Sequence, residues 1–136
     1  MVTNIYATCL KVKNKGVLII GNSGSGKSDL ALRLIYRYKA SLVADDRVDI
    51  SVKKGKITAS APKVLKNLLE VRGVGIVKIK SSALTSVVLV VELTDKIERM
   101  PELAEYEIEG IKLPLVKINP FEDSAPEKVL CALSLL

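Results

Sequence analysis

Gly16-Val17-Leu18-Ile19-Ile20-Gly21-Asn22-Ser23-Gly24-Ser25-Gly26-Lys27-Ser28 decides how the rest of the chain is read. Its first five residues are a short apolar run, the pattern of a buried strand. Gly21 to Ser28 then fits G-x-x-x-x-G-K-[ST] in full. Asp29 to Tyr38 reads as a helix: Leu30, Ala31, Leu34, Ile35 and Tyr38 share one face, with Arg33, Arg37 and Lys39 off it. Strand, glycine loop and helix in that order is what a phosphate-binding loop (P-loop) requires. The glycines let successive N–H groups curl toward phosphate oxygens. The helix start adds unpaired N–H groups and the positive end of its dipole. Gly21, Asn22, Ser23, Gly24, Ser25 and Gly26 are therefore candidate nucleotide-binding residues. Lys27 would reach the β- and γ-phosphates, and the Ser28 hydroxyl would ligate Mg²⁺. A glycine turn ahead of a basic helix is the bland alternative, and it leaves the completeness of the motif unexplained.

The 136 residues suggest one domain, 1–136, and 49% hydrophobic content suffices for a core. Aromatic residues are scarce at 4%, so that core must be aliphatic. The net charge of +6 invites a nucleic-acid reading. Against it, the lysines are scattered (Lys11, Lys13, Lys15; Lys53, Lys54, Lys56; Lys78, Lys80) at spacings that suit a solvated sheet face. No aromatic residues interleave with them for base stacking. Cys9 and Cys131 read as buried free thiols. With no histidine, His-based metal sites and Ser-His triads are excluded. No apolar run reaches the roughly 20 residues that span a bilayer, and no signal peptide opens the chain. A cytoplasmic nucleotide-binding protein without membrane attachment is expected.

Ile5 to Val12 reads as one strand, pairing as a hairpin with Gly16–Ile20. Ser41 to Ala44 is a short apolar strand ending in Asp45-Asp46. Val48–Val52 and Lys56–Ala59 form a hairpin around Lys53-Lys54-Gly55. Lys63 to Glu70 reads as a short helix with Val64, Leu65, Leu68 and Leu69 inward. Strands follow at Ile76–Lys80, Val87–Leu93 and Leu113–Ile118, while polar Thr94–Glu109 reads as loop or short helix. Ser124 and Glu127 have the spacing of a capping box on a final helix, 125–135, that packs through Val129, Leu130, Leu133 and Leu136 or their neighbours. The fold class is α/β, a P-loop domain with a mixed sheet.

Phosphoryl transfer needs positioning, metal charge and a group for the nucleophile's proton. Asp45 and Asp46 close a buried strand beside the loop, where ligand groups collect in such sheets. Adjacent carboxylates there face different sides, so one can accept a hydroxyl proton while the other meets metal-bound water or a structural partner. Glu92 after Val87–Val91 competes for a metal role, but Leu93 follows it and puts it inside its strand. Glu70, ahead of Val71-Arg72-Gly73-Val74-Gly75, reads by composition as a surface helix end.

Gly21–Ser28, Leu42-Val43-Ala44-Asp45-Asp46-Arg47-Val48 and Leu69-Glu70-Val71-Arg72-Gly73-Val74-Gly75-Ile76, in that order, resemble the catalytic domain of HPr kinase/phosphorylase. The likeness runs from about Ile5 onward and is nearest to short forms lacking the family's N-terminal domain. It implies a P-loop domain related to phosphoenolpyruvate carboxykinase, and ATP-dependent phosphorylation of a serine on HPr, the phosphotransferase-system carrier. By resemblance Lys27 is the loop lysine, Ser28 and Glu70 are Mg²⁺ ligands, and Asp45 is the general base. Asp46 holds the site together and Arg99 is the catalytic arginine. Long forms are hexamers, which makes a homo-oligomer an expectation. The family's first-strand histidine corresponds to Tyr6, whose hydroxyl could bond Asp46 but cannot become a cation near neutral pH. The stretch the family uses for dephosphorylation corresponds to Leu113–Asp123, which lacks its arginines and glycine; a kinase without phosphorylase activity is expected. A nucleotide-binding regulatory or sensor module, and a small-molecule kinase, remain as alternatives.

Overall fold

The computed structural model describes residues 2–62 and 67–136. In chain order the elements are β1 (Thr3–Tyr6), β2 (Thr8–Val12), β3 (Lys15–Ile20), α1 (Lys27–Tyr38), β4 (Ser41–Ala44), β5 (Arg47–Lys53) and β6 (Lys56–Ser60). They continue with β7 (Leu68–Val71), β8 (Gly75–Lys78), β9 (Leu84–Leu93), β10 (Ala104–Ile108), β11 (Ile111–Ile118) and α2 (Ala125–Ser134).

Nine strands make one mixed sheet, and β7 with β8 a separate hairpin. The sheet turns on β9. Leu84–Ser86 pair antiparallel with β6, which continues through β5 to β1. From Val87 onward β9 runs parallel to β3, and from Val90 its other edge runs parallel to β11. β3 pairs antiparallel with β2, and β2 with β4. Changing neighbours along one strand curls the sheet over itself and creates two cores. Inside the curl, Cys9, Leu18, Val48, Ile50, Val87 and Val90 pack together. On the outer face, Leu10, Val17, Ile19, Leu89 and Val91 receive Leu30 and Leu34 of α1 and Val129 and Leu133 of α2. β3 and the second half of β9 are covered on both faces, which is why both read as continuous apolar runs rather than alternations.

Several elements differ from the sequence reading. Ile5–Val12 is two strands broken at Ala7: β1 belongs to the β5 side and β2 to the β3 side, so the chain crosses the curl there. Leu68–Glu70 are strand, not the end of a helix; Lys63–Lys66 lie outside the described residues. Only Leu69 there is fully buried, a period-2 pattern that pairs with β8. Within Thr94–Glu109 lies β10, joined to β11 by Glu109-Gly110, both with positive φ (51° and 77°), as tight hairpin turns require. Ser124 does precede α2, but its side chain makes no capping bond. Glu127 turns instead to accept the Tyr38 hydroxyl and sits 3.5 Å from Arg37 Nη1. Cys9 is buried as expected; Cys131 is exposed.

Candidate active site

The loop between β3 and α1 is shaped by its own backbone. Ser25 N–H donates to the Asn22 carbonyl at 3.0 Å, and Gly24 and Gly26 hold φ of 79° and 101°, the left-handed region a side chain resists. α1 begins at Lys27, its first turn closed by Leu30 N–H to Gly26 O at 2.9 Å. Gly26 abuts Pro120 closely: a Cβ there would lie 3.3 Å from the proline Cβ.

Lys27 is 6% exposed. Its ammonium donates to the Gly21 and Asn22 carbonyls, both at 3.0 Å, and stands 4.2 Å from the Tyr6 ring centroid. Buried among neutral acceptors and an aromatic face, the cation is held without a bonded carboxylate. The Arg47 guanidinium lies 5.8 Å from the same ring. Tyr6 thus meets cations through its ring; among the described residues it makes no hydrogen bond with Asp46, the contact its hydroxyl could have offered.

Asp45 follows the last residue of β4 and is 9% exposed. Its Oδ1 accepts from Thr8 Oγ1 at 2.8 Å and from Ser28 Oγ at 2.9 Å, and its Oδ2 lies 3.1 Å from the same serine oxygen. The strand-end carboxylate is tied to the phosphate loop on one side and to β2 on the other. Asp46 takes φ of 71° and is exposed, with its carbonyl accepting Ala7 N–H at 3.3 Å. The adjacent carboxylates thus differ in burial, Asp45 enclosed and Asp46 open to solvent.

A cleft of about 660 Å³ unites these groups. Ser23, Gly24, Gly26, Lys27 and Ser28 line it, facing Asp45 and Asp46. Glu70 lines it from β7, with Arg72 beyond. Gly21 and Asn22 take part through their carbonyls, and the buried Ser25 Oγ finds no hydrogen-bond partner among the described residues. Arg99 is not brought in: it sits in the exposed segment 95–103 and does not line the cleft. Glu92 is paired inside β9 between Ile20 and Lys117, away from the cleft lining.

The donor set suits a hard cation shared with phosphates. Ser28 Oγ and the carboxylates of Asp45 and Glu70 are all oxygen donors on one cleft. No cluster of three or more metal-binding side chains occurs among the described residues. Such a site matches the Mg²⁺ habit of one or two carboxylates plus substrate oxygens, not a dedicated cage.

The sequence reading missed Thr8, Arg72, Pro120 and Phe121. Thr8 carries no motif signal; it meets Asp45 because Cys9 pairs with Ala44 across β2 and β4. Pro120 and Phe121 are held by α1 from the other side. Arg33 donates to the carbonyls of Pro120 and Glu122, and Arg37 to the carbonyl and carboxylate of Asp123. The Glu127 carboxyl is lowered from its usual range, first by the Tyr38 hydroxyl, then by its own backbone N–H.

The model of the HPr Serine kinase C-terminal domain family matches residues 1–123. An HPr kinase/phosphorylase of Lactobacillus johnsonii is 48% identical over 77 residues, covering 56% of this chain and 24% of the relative. One of Bordetella pertussis is 40% identical over 129 residues, covering 85% of this chain and 41% of the relative. The chain therefore spans less than half the length of these relatives. The solved Hpr(Ser) kinase/phosphatase of Coxiella burnetii superposes with a TM-score of 0.84 at 26% identity, over 98% of this chain and 95% of that one.

Proposed function

We propose, from the premise that the chain belongs to the HPr serine kinase C-terminal domain family, that it transfers the γ-phosphoryl group of ATP to a serine hydroxyl of an HPr-like carrier protein. The observation that carries the reading is Asp45. Its carboxylate stands against Ser28 of the phosphate loop, at 2.9 and 3.1 Å, on the floor of the cleft that Lys27 also lines.

The backbone N–H groups of Gly21–Ser28 and the α1 dipole would hold the phosphates. The Lys27 ammonium would exchange its two carbonyl acceptors for phosphate oxygens. Mg²⁺, when bound through Ser28 and Glu70, offsets charge on the phosphates. Asp45 would take the proton of the attacking serine hydroxyl as its oxygen bonds to the γ-phosphorus and the bond from that phosphorus to the β–γ bridging oxygen breaks. Thr8 keeps Asp45 aimed, and Asp46 lines the approach. A role for Arg99 rests on its motif alone. Leu113–Asp123, without arginine or glycine, supports transfer in the forward direction only.

The test incubates purified protein with HPr, Mg²⁺ and γ-labelled ATP. Label should appear on one HPr serine, and an Asp45→Asn variant should bind ATP as before while transfer falls about 10²–10⁴-fold. Tight ATP binding with no labelled serine would reject the kinase reading in favour of a nucleotide sensor; label on a metabolite but not on HPr would select a small-molecule kinase.

A further inference from the structure

The cleft has two chemically different ends. One is the anion cradle already described. The other is apolar: Leu32 from α1, Leu68, Val71 and Ile76 from the β7–β8 hairpin, and Pro120 with Phe121. Leu32 lies one helical turn beyond Ser28, on the same side of α1. The apolar end is thus continuous with the phosphate end, along the first turns of the helix that carries the loop.

Phe121 is the only phenylalanine of the chain and is 81% exposed. Ile76, in the same lining, is 71% exposed. An exposed aromatic on a floppy loop would carry no weight, but this one is fixed. Its own N–H donates to Asn119 Oδ1 at 3.0 Å. Glu122 N–H donates to the Asn119 carbonyl at 3.3 Å and Ala125 N–H to the Glu122 carbonyl at 3.1 Å. Arg33 clasps the carbonyls on both sides of it, at Pro120 and Glu122. Pro120 itself packs on Gly26, the last loop glycine before the helix. The backbone that carries the ring is therefore held in place beside the phosphate loop.

We infer that this apolar end is the nucleobase subsite, with Phe121 as its stacking platform. The inference rests on the reading of Gly21–Ser28 as a nucleotide's phosphate site. Continuity with that cradle decides the occupant: a group leaving the phosphates along α1 enters the apolar end, and in a nucleotide that group is the nucleoside. Among the described residues the apolar side chains of this end are joined by one guanidinium, Arg72. Stacking on the ring supplies a grip that any base can use.

Titration calorimetry without any carrier protein tests this, using ATP, GTP, CTP and inorganic tripolyphosphate in the presence of Mg²⁺. Wild-type protein should bind ATP and GTP more tightly than CTP, as the smaller ring stacks less. Phe121→Ala should weaken ATP and GTP roughly tenfold, the scale of one lost base–aromatic stack, and leave tripolyphosphate unchanged. Phe121→Tyr should restore wild-type affinities. Unchanged ATP affinity in Phe121→Ala, or an equal loss for tripolyphosphate, overturns the subsite. Failure of the wild type to bind tripolyphosphate or any nucleotide rejects the phosphate-loop reading instead, a separate outcome.

Discussion

At the residue scale the proposed reaction turns on Asp45, which Thr8 bonds at 2.8 Å. The threonine is fully buried and donates to the same oxygen that Ser28 uses. Thr8→Val keeps the shape and removes that donor, leaving a buried carboxylate one bond short. A loss of about 1–3 kcal/mol is expected in urea unfolding, with phosphoryl transfer falling more than ATP affinity. Equal transfer rates in the two proteins would show that Ser28 alone suffices to aim Asp45. The loop residues were legible in the sequence because backbone geometry dictates their type: glycine where φ is positive, lysine and serine where the helix begins. Thr8 was not legible, since its importance depends on the register of two strands 37 positions apart. The thiols divide the same way. Burial of Cys9 could be read from its apolar strand, and burial pushes its pKa up to about 12. The folded chain keeps that proton while the unfolded chain releases it above about pH 9, so the contribution is complete below pH 9 and is lost as pH rises toward 12. Cys9→Ala should therefore flatten the alkaline fall of stability, on the order of 1 kcal/mol per pH unit. Exposed Cys131 should react with a thiol reagent at once, and Cys9 only on unfolding.

At the element scale, α1 does two jobs with two faces. Its apolar face packs on the sheet, as its 3.6-residue spacing foretold. Arg33 and Arg37, which the same spacing put off that face, clasp the segment leading into α2, and Tyr38, read on the apolar face, turns its hydroxyl to Glu127. That clasp explains why Glu127 abandons its own helix cap: the Tyr38 hydroxyl lies closer to hand. The bond lowers the Glu127 pKa from 4.5, so its contribution is present above that pH and lost as pH falls through the lowered value. Tyr38→Phe removes the leading cause. The stability difference between wild type and Tyr38→Phe should be full at pH 7 and close progressively below pH 4.5 in thermal melts; a gap that stays constant to pH 3 contradicts the assignment. Two hairpin strands, β7 and β10, escaped the sequence reading, whereas the β5–β6 hairpin did not. β7 holds four residues with one buried, and β10 carries Glu105 and Glu107 on its open face. So short an alternation resembles a polar loop until its partner strand is known.

At the scale of the whole molecule, both cores and the site depend on β9 changing neighbours. Its first three residues serve β6, and the rest serve β3 and β11. The handover falls at Ser86–Val87, and there the β3 register shifts between Gly16 and Val17. The sequence announced β3 and β9 as buried strands, but the joint could not be read from it, because a glycine at a close crossing looks like a turn residue. A Cβ on Gly16 would stand 2.3 Å from the Ser86 carbonyl oxygen and 2.8 Å from Thr85 Cγ2. The first contact is with backbone, which cannot rotate aside. Gly16→Ala must therefore part β3 from β9 at the point where the sheet curls. We expect a loss of about 1–3 kcal/mol or more, read as a lower urea midpoint. Amide exchange should quicken together in β3, β9 and β6, since the joint is common to them. Nucleotide affinity should persist in the folded fraction, because the loop begins only after four further residues of strand. An unchanged midpoint, or exchange confined to β3, would mean the curl does not pivot on this crossing.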